Sequence, residues 1–278
     1  DGIRDIGVTG VQTCALPISL NRLLSDGAEK LASDVSDLRT AGLSVDTIDV
    51  GGSSVDVGVN INESQAGALI NAGLHFADND TQINLEVGAG EGTHLSNSLK
   101  ALSKLGVDTV TSAAGNVLSV DLGGFSAAEL GATGGVHLSH VKFADGLDVT
   151  LDVANLSQLN VAASLADQLK VDGIDHVQIN LADGNRDGNY QDALNRLLSD
   201  GVAPLASDVS DLRTAGLSVD TIDVGGSSVD VGVNINESQA GALINAGLHF
   251  ADNDTQINLA VGAGEGTHLS RSEEHTSE

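Results

Sequence analysis

Residues 20–96 return almost unchanged at 194–270, shifted by 174 positions. Across 77 paired positions only four differ: Ala28/Val202, Glu29/Ala203, Lys30/Pro204 and Glu86/Ala260. A repeat of this length constrains the chain more than any motif does, because whatever one copy folds into must be stable twice. It favours an array over a catalytic centre, whose residues are ordinarily assembled once. Shorter echoes lie beneath it. VDTID at Val45–Asp49 returns as VDTVT at Val107–Thr111, as IDHVQ at Ile174–Gln178 and as VDTID at Val219–Asp223, at spacings of 62, 67 and 45 residues.

The two ends read differently from the body. RSEEHTSE at 271–278 resembles a translated short-read sequencing adapter, and VTGVQTCALPI at Val8–Ile18 fits the same oligonucleotide read on its other strand. Residues 1–18 and 271–278 are therefore expected to be non-native and are set aside, as a tag would be. The expected organisation is a first copy over 19–96, divergent repeat units over 97–193 and a second copy over 194–270. Cys14 and Pro17 fall in the excluded stretch, so the body has no cysteine and one proline, Pro204. Disulfide and thiol chemistry are thereby excluded from the body.

The formal charge of the whole chain is −27. Such a balance makes nucleic acid and anionic membranes poor partners and makes divalent cations good ones. No apolar run reaches the length of a membrane span, so no membrane insertion is expected.

Each copy carries helical and strand periodicities in turn. Leu20, Leu23, Leu24, Leu31, Val35 and Leu38 fall mostly at helical steps, and Gly42 ends that helix. Val55, Val57, Val59 and Ile61 alternate with small or polar residues, the two-residue period of a strand. Asn62 is an N-cap candidate with Glu63 in the first turn, and Ala66, Leu69, Ile70 and Leu74 supply the next apolar face. Ile83, Leu85 and Val87 form a further alternating strand. The expected fold class is α/β: a solenoid-like tandem array of helix–strand–strand–helix–strand units, with separate small α/β domains in tandem as the alternative.

Few residues offer chemistry. DGNRDGNYQDAL at Asp183–Leu194 places Asp183, Asn185 and Asp187 at positions one, three and five of an EF-hand-like loop, with Gly188 at six. That spacing gathers short oxygen-bearing side chains around a hard cation, and calcium is the ion it suits. Asn189 offers a backbone carbonyl, Gln191 or a water fills position nine, and Asp192 is the later acid. Leu194 stands where a bidentate glutamate belongs, so an Asx-turn leading into a helix is the competing reading. GGSSVDVGV at Gly51–Val59 and Gly225–Val233 departs from the calcium nonapeptide of β-rolls and reads more simply as a tight glycine turn between two strands. His75, His137 and His249 occupy equivalent positions near the expected ends of helices, where the dipole favours a partly cationic ring. One histidine per repeat makes no tetrahedral zinc site. No Ser/His/Asp constellation stands out, so the chain is expected not to be an enzyme.

The stretch Ala101–Ser139, ALSKLGVDTVTSAAGNVLSVDLGGFSAAELGATGGVHLS, resembles repeats of very large bacterial surface and secreted proteins, including calcium-dependent, type I-secreted adhesins. It shares with them an Ala/Leu helix, a G-V-D-x-[IV] step, an NVL-type strand and a short Ala-rich helix. The resemblance implies an extender or stalk that projects a tip, sits at the cell surface or outside the cell, packs against neighbouring repeats and is stiffened by calcium. A second class of function stays open beside it, an acidic module that binds a ligand or partner.

Overall fold

The computed structural model describes residues 28–49, 57–77, 81–88, 93–113, 117–124, 141–181, 190–199, 202–224, 232–251 and 256–260. The fold is α/β, and each strand pairing with a described register is parallel. Parallel neighbours require a crossover, and in several of these crossovers a described helix supplies it. The described residues divide into two compact units, one over 28–118 with 141–147 and one over 119–260 without 141–147.

In the first unit, α1 (Ala28–Thr40) is followed by β1 (Thr47–Ile48), β2 (Val57–Ile61), α2 (Glu63–Asn71), β3 (His75–Phe76) and β4 (Thr81–Val87). Then come α3 (Leu99–Leu105), β5 (Thr109–Ser112) and β7 (Lys142–Phe143). Strand order in the main sheet is β2-β4-β5-β7, with β1 and β3 paired separately. The expected N-cap is present and forms a reciprocal box: Asn62 Oδ1 accepts from the Gln65 N–H, and Gln65 Oε1 accepts from the Asn62 N–H. The box satisfies two donors that helix geometry leaves open. Glu63 is buried and its Oε1 accepts from the Ser96 N–H at 2.8 Å, so it anchors a distant loop as well as the first helical turn. Val59, Ile61, Ile83, Leu85 and Val110 alternate inward and are almost wholly buried, as the two-residue period requires.

The second unit holds β6 (Val117–Asp121), which begins at the boundary, then β8 (Asp148–Val153), α4 (Leu156–Ser164), α5 (Ala166–Val171) and β9 (His176–Asn180). It continues with α6 (Tyr190–Ser199), α7 (Val202–Thr214), β10 (Thr221–Asp223), β11 (Gly232–Asn236), α8 (Glu237–Asn245), β12 (His249–Phe250) and β13 (Gln256–Ala260). Its main sheet runs β12-β10-β9-β8-β6, and β11 pairs with β13. Pro204 sits in the first turn of α7, where its missing N–H costs nothing.

One expectation needs correction: with the two-residue strands β3 and β12, the described part of the first copy runs helix–strand–strand–helix–strand–strand, and the second copy places α6 ahead of the same order; two residues are too few to display a period. The glycine-rich stretches lie between strands as expected, and those strands are not partners. Residues 50–56 and 225–231 lie outside the described residues, but β1 and β2 flank the first of them and belong to different sheets, as do β10 and β11 around the second.

Candidate functional site

The most elaborate polar arrangement is built twice. Arg39, in the last turn of α1, donates through Nη1 to the Ala72 carbonyl at 3.0 Å. Its Nη2 donates to the carbonyls of Val45 (2.7 Å) and Gly73 (3.0 Å) and to Asp46 Oδ1 (3.0 Å). Arg213, in the last turn of α7, makes the same set 174 positions on: Ala246 carbonyl at 2.8 Å, Gly247 carbonyl at 3.0 Å, Val219 carbonyl, and Asp220 Oδ1 at 3.3 Å. Ala72 and Ala246 are the C-caps of α2 and α8, where carbonyls lack intrahelical donors and the helix dipole is negative. A guanidinium suits that position because its fork of fixed N–H donors reaches several acceptors at once, which a lysine ammonium does not reproduce. One side chain thus ties a helix end, the following loop and the end of the next helix.

Neighbouring residues are shaped to this junction. Gly73 and Gly247 have φ of +65° and +66°, and a Cβ on either would stand 3.1 Å from Arg39 Nη1 or 2.9 Å from Arg213 Nη1. Both backbone and space therefore call for glycine. The hydroxyl of Ser44 donates to Asp46 Oδ2, and that of Ser218 to Asp220 Oδ2, each at 2.7 Å. These serine bonds, followed by the adjacent guanidinium, hold both carboxyls below the usual aspartate range. Lys170 to Asp175 Oδ1, at 2.9 Å, is a single-bonded relative at the end of α5.

A second feature occurs once. Asp208 on α7 is 6 % exposed; its Oδ1 accepts from Asn160 Nδ2 at 3.3 Å and its Oδ2 is buried without a partner. Helix α4, which packs on α7, has no charged residue to answer it. Burial pushes the carboxyl above the usual aspartate range, the Asn160 bond opposes this, and Asp211 adds like charge. The equivalent Asp34 has a side chain 58 % exposed and pairs with Lys30 at 2.6 Å. Pro204 replaces that lysine in the second copy.

Next to this helix pair lies an open depression of about 390 Å³, lined by Ser164, Asp167, Gln168, Asp211 and Thr214 with small apolar residues between them. Its two hydroxyls are committed to the helices, Ser164 to the Val161 carbonyl at 2.7 Å and Thr214 to the Ser210 carbonyl at 2.8 Å. The rest of the polar lining, Asp167, Gln168 and Asp211, makes the depression weakly acidic.

Of the residues expected to hold calcium, Asp183, Asn185, Asp187 and Asn189 lie outside the described residues. Asp192 is exposed in the first turn of α6. Gln191 is not available for position nine: its Nε2 donates to the Asn234 carbonyl at 2.8 Å and its Oε1 accepts from the Asn234 N–H at 2.6 Å. Among the described residues no group of three or more His, Cys, Asp and Glu is placed to hold a metal ion. His75 and His249 sit on strands β3 and β12, three residues past the C-caps of α2 and α8, rather than in a last helical turn; His137 lies outside the described residues.

Sequence reasoning missed Arg39, Arg213 and Asp208. The arginines were findable, since a chain with 12 basic residues spends one in each copy six and seven positions before a Val-Asp pair. The Lys30/Pro204 difference was the visible sign that Asp208 had lost its cation. No model of a known protein family matches the chain, and comparison with curated proteins gave no match. No helix among the described residues is long and apolar enough to cross a membrane.

Proposed function

We propose that this chain is a structural repeat segment, an extender or stalk of a bacterial cell-surface or secreted adhesin-like protein, with no catalytic role. Its architecture on this reading is a tandem array of α/β units whose partners are neighbouring repeats of the same chain and divalent cations, not nucleic acid or membrane. The observation that carries the reading is the arginine junction, built with corresponding partners at Arg39 and Arg213. A cross-brace gains from repetition, since each added copy stiffens one more step, whereas a catalytic group gains little from it. The acidic balance of −27 supports solubility of a long array, and the loop from Asp183 to Asp192 is the proposed calcium site that stiffens it.

Solution scattering on chains with one, two and three 174-residue periods tests the array. The maximum dimension is expected to rise by an equal increment per period, and growth following the compact-globule scaling would sink the proposal. Calcium is tested by melting the chain and its Asp187→Asn variant with and without millimolar calcium. A rise in midpoint that the variant loses is expected, since a ligand that binds only the folded form stabilises it. An unchanged midpoint removes calcium and leaves the stalk reading standing.

A further inference from the structure

One face of the second copy is open where the first copy is covered. In the first copy, Ile83 and Leu85 of β4 are each 1 % exposed and Phe76 is 4 % exposed. They are covered because β5 pairs with β4, while α3 packs on α2 and β3. In the second copy Leu259 is 43 % exposed, Ile244 is 65 % exposed, and Ile257 and Phe250 are half-buried. The sequence of the two faces is the same apart from Glu86/Ala260, and β13 holds the register against β11 that β4 holds against β2.

The backbone is open as well. In β4 the outward N–H of Ile83 donates to Asp108 Oδ2 at 2.7 Å and its carbonyl accepts from the Asp108 N–H at 2.9 Å. The same register turns the N–H and C=O of Ile257 and Leu259 away from β11, and among the described residues no strand pairs with that edge. Edge strands are commonly protected by charge, yet the one difference on this strand replaces Glu86 by Ala260.

We infer that this face of the second copy, formed by β13, β12 and α8, is a docking surface for a further helix–strand unit of the kind residues 97–113 form. The occupant is specified by the interface already present once in the chain. It brings a helix with Leu99, Leu102 and Leu105 on its buried side, a left-handed glycine such as Gly106, and a Val-Asp step whose carboxylate meets the open N–H of Ile257. Gly106 suits that position because its φ of +93° disfavours other residues, while it packs at ordinary contact distance from Phe76. The inference deepens the repeat reading proposed above and rests on it for the identity of the occupant.

The test appends a second copy of residues 97–147 directly after Ser270 in the full chain and follows amide exchange at 256–260. Exchange there is expected to slow at least about tenfold relative to the parent, and to return to the parent rate when the appended copy carries Leu102→Asp. An appended segment that stays unprotected, or one that folds while 256–260 exchanges at the parent rate, overturns the inference. Concentration-dependent protection of 256–260 in the parent chain, with dimers in sedimentation, assigns the face to a second copy instead and overturns it too. Protection in the fused chain combined with compact-globule scattering would keep the docking and remove the stalk; the reverse pair of results would do the opposite.

Discussion

Helices α1 and α7 share their last ten residues, LASDVSDLRT, yet they live in different surroundings. In α7, Leu212 is wholly buried and Leu217 just beyond it is 2 % exposed, with α4 packed alongside and β9 paired to β10. In α1, the matching Leu38 and Leu43 are 42 % and 55 % exposed. Asp208 and Asp34 diverge in the same sense. The local sequence sets the helix and its arginine junction, but the element stacked against it decides which side chains count as core. Burial of these leucines is set by the elements packed against the helix, not by the helix's own sequence.

The sharpest way to break this comparison is truncation of the shared leucine. Leu212→Ala is expected to lower unfolding free energy by about 2–5 kcal/mol, and Leu38→Ala by less than about 1 kcal/mol, read by denaturant melting. Equal losses would mean that the two helices are covered alike. The arginine junction, by contrast, should treat the copies equally. Arg39→Ala and Arg213→Ala are each expected to cost about 1–2 kcal/mol, mostly through the helix-end carbonyls, because the aspartate partners are more than half exposed. A cost confined to one copy would remove the junction as a shared device.

The smallest effect separates Asp208 from Asp34. The carboxyl of Asp208 is raised in the folded state, so its favourable contribution is complete below the ordinary aspartate value of 3.8 and is lost as pH rises through the raised one. Asp208→Asn is therefore expected to stabilise by about 1 kcal/mol at pH 7 and to lose that advantage near pH 3. Asp34→Asn, which only breaks an exposed pair with Lys30, is expected to bring no stabilisation at pH 7. An equal gain in the two variants at pH 7 would sink the difference.

Much of the local structure is legible in the sequence. Gly42 ends α1 with φ of +83°, Asn62 caps α2, and Ile83, Leu85 and Val87 alternate as expected, because caps, left-handed glycines and strand periods are written within a few residues. The α/β class followed from the order of those patterns. Parallel pairing did not, since register depends on residues 24 to 43 positions apart, such as Val59 with Ile83 and Ile179 with Ile222. Nor did the fate of Asp208 follow from its flanking sequence, which Asp34 shares. The candidate site is the least legible part: the loop proposed for calcium is read from spacing within twelve residues, while the guanidinium contacts converge from three segments.

The bond pair between Gln191 and Asn234 carries one more consequence. A side-chain amide has the same donor and acceptor geometry as a peptide group, so Gln191 occupies the free edge of β11 as if it were a single residue of a further strand. Lateral pairing by a foreign strand is blocked on that side of the β11–β13 pair and permitted on the other. A strand added to this small sheet would therefore extend it from the β13 edge and not from the β11 edge.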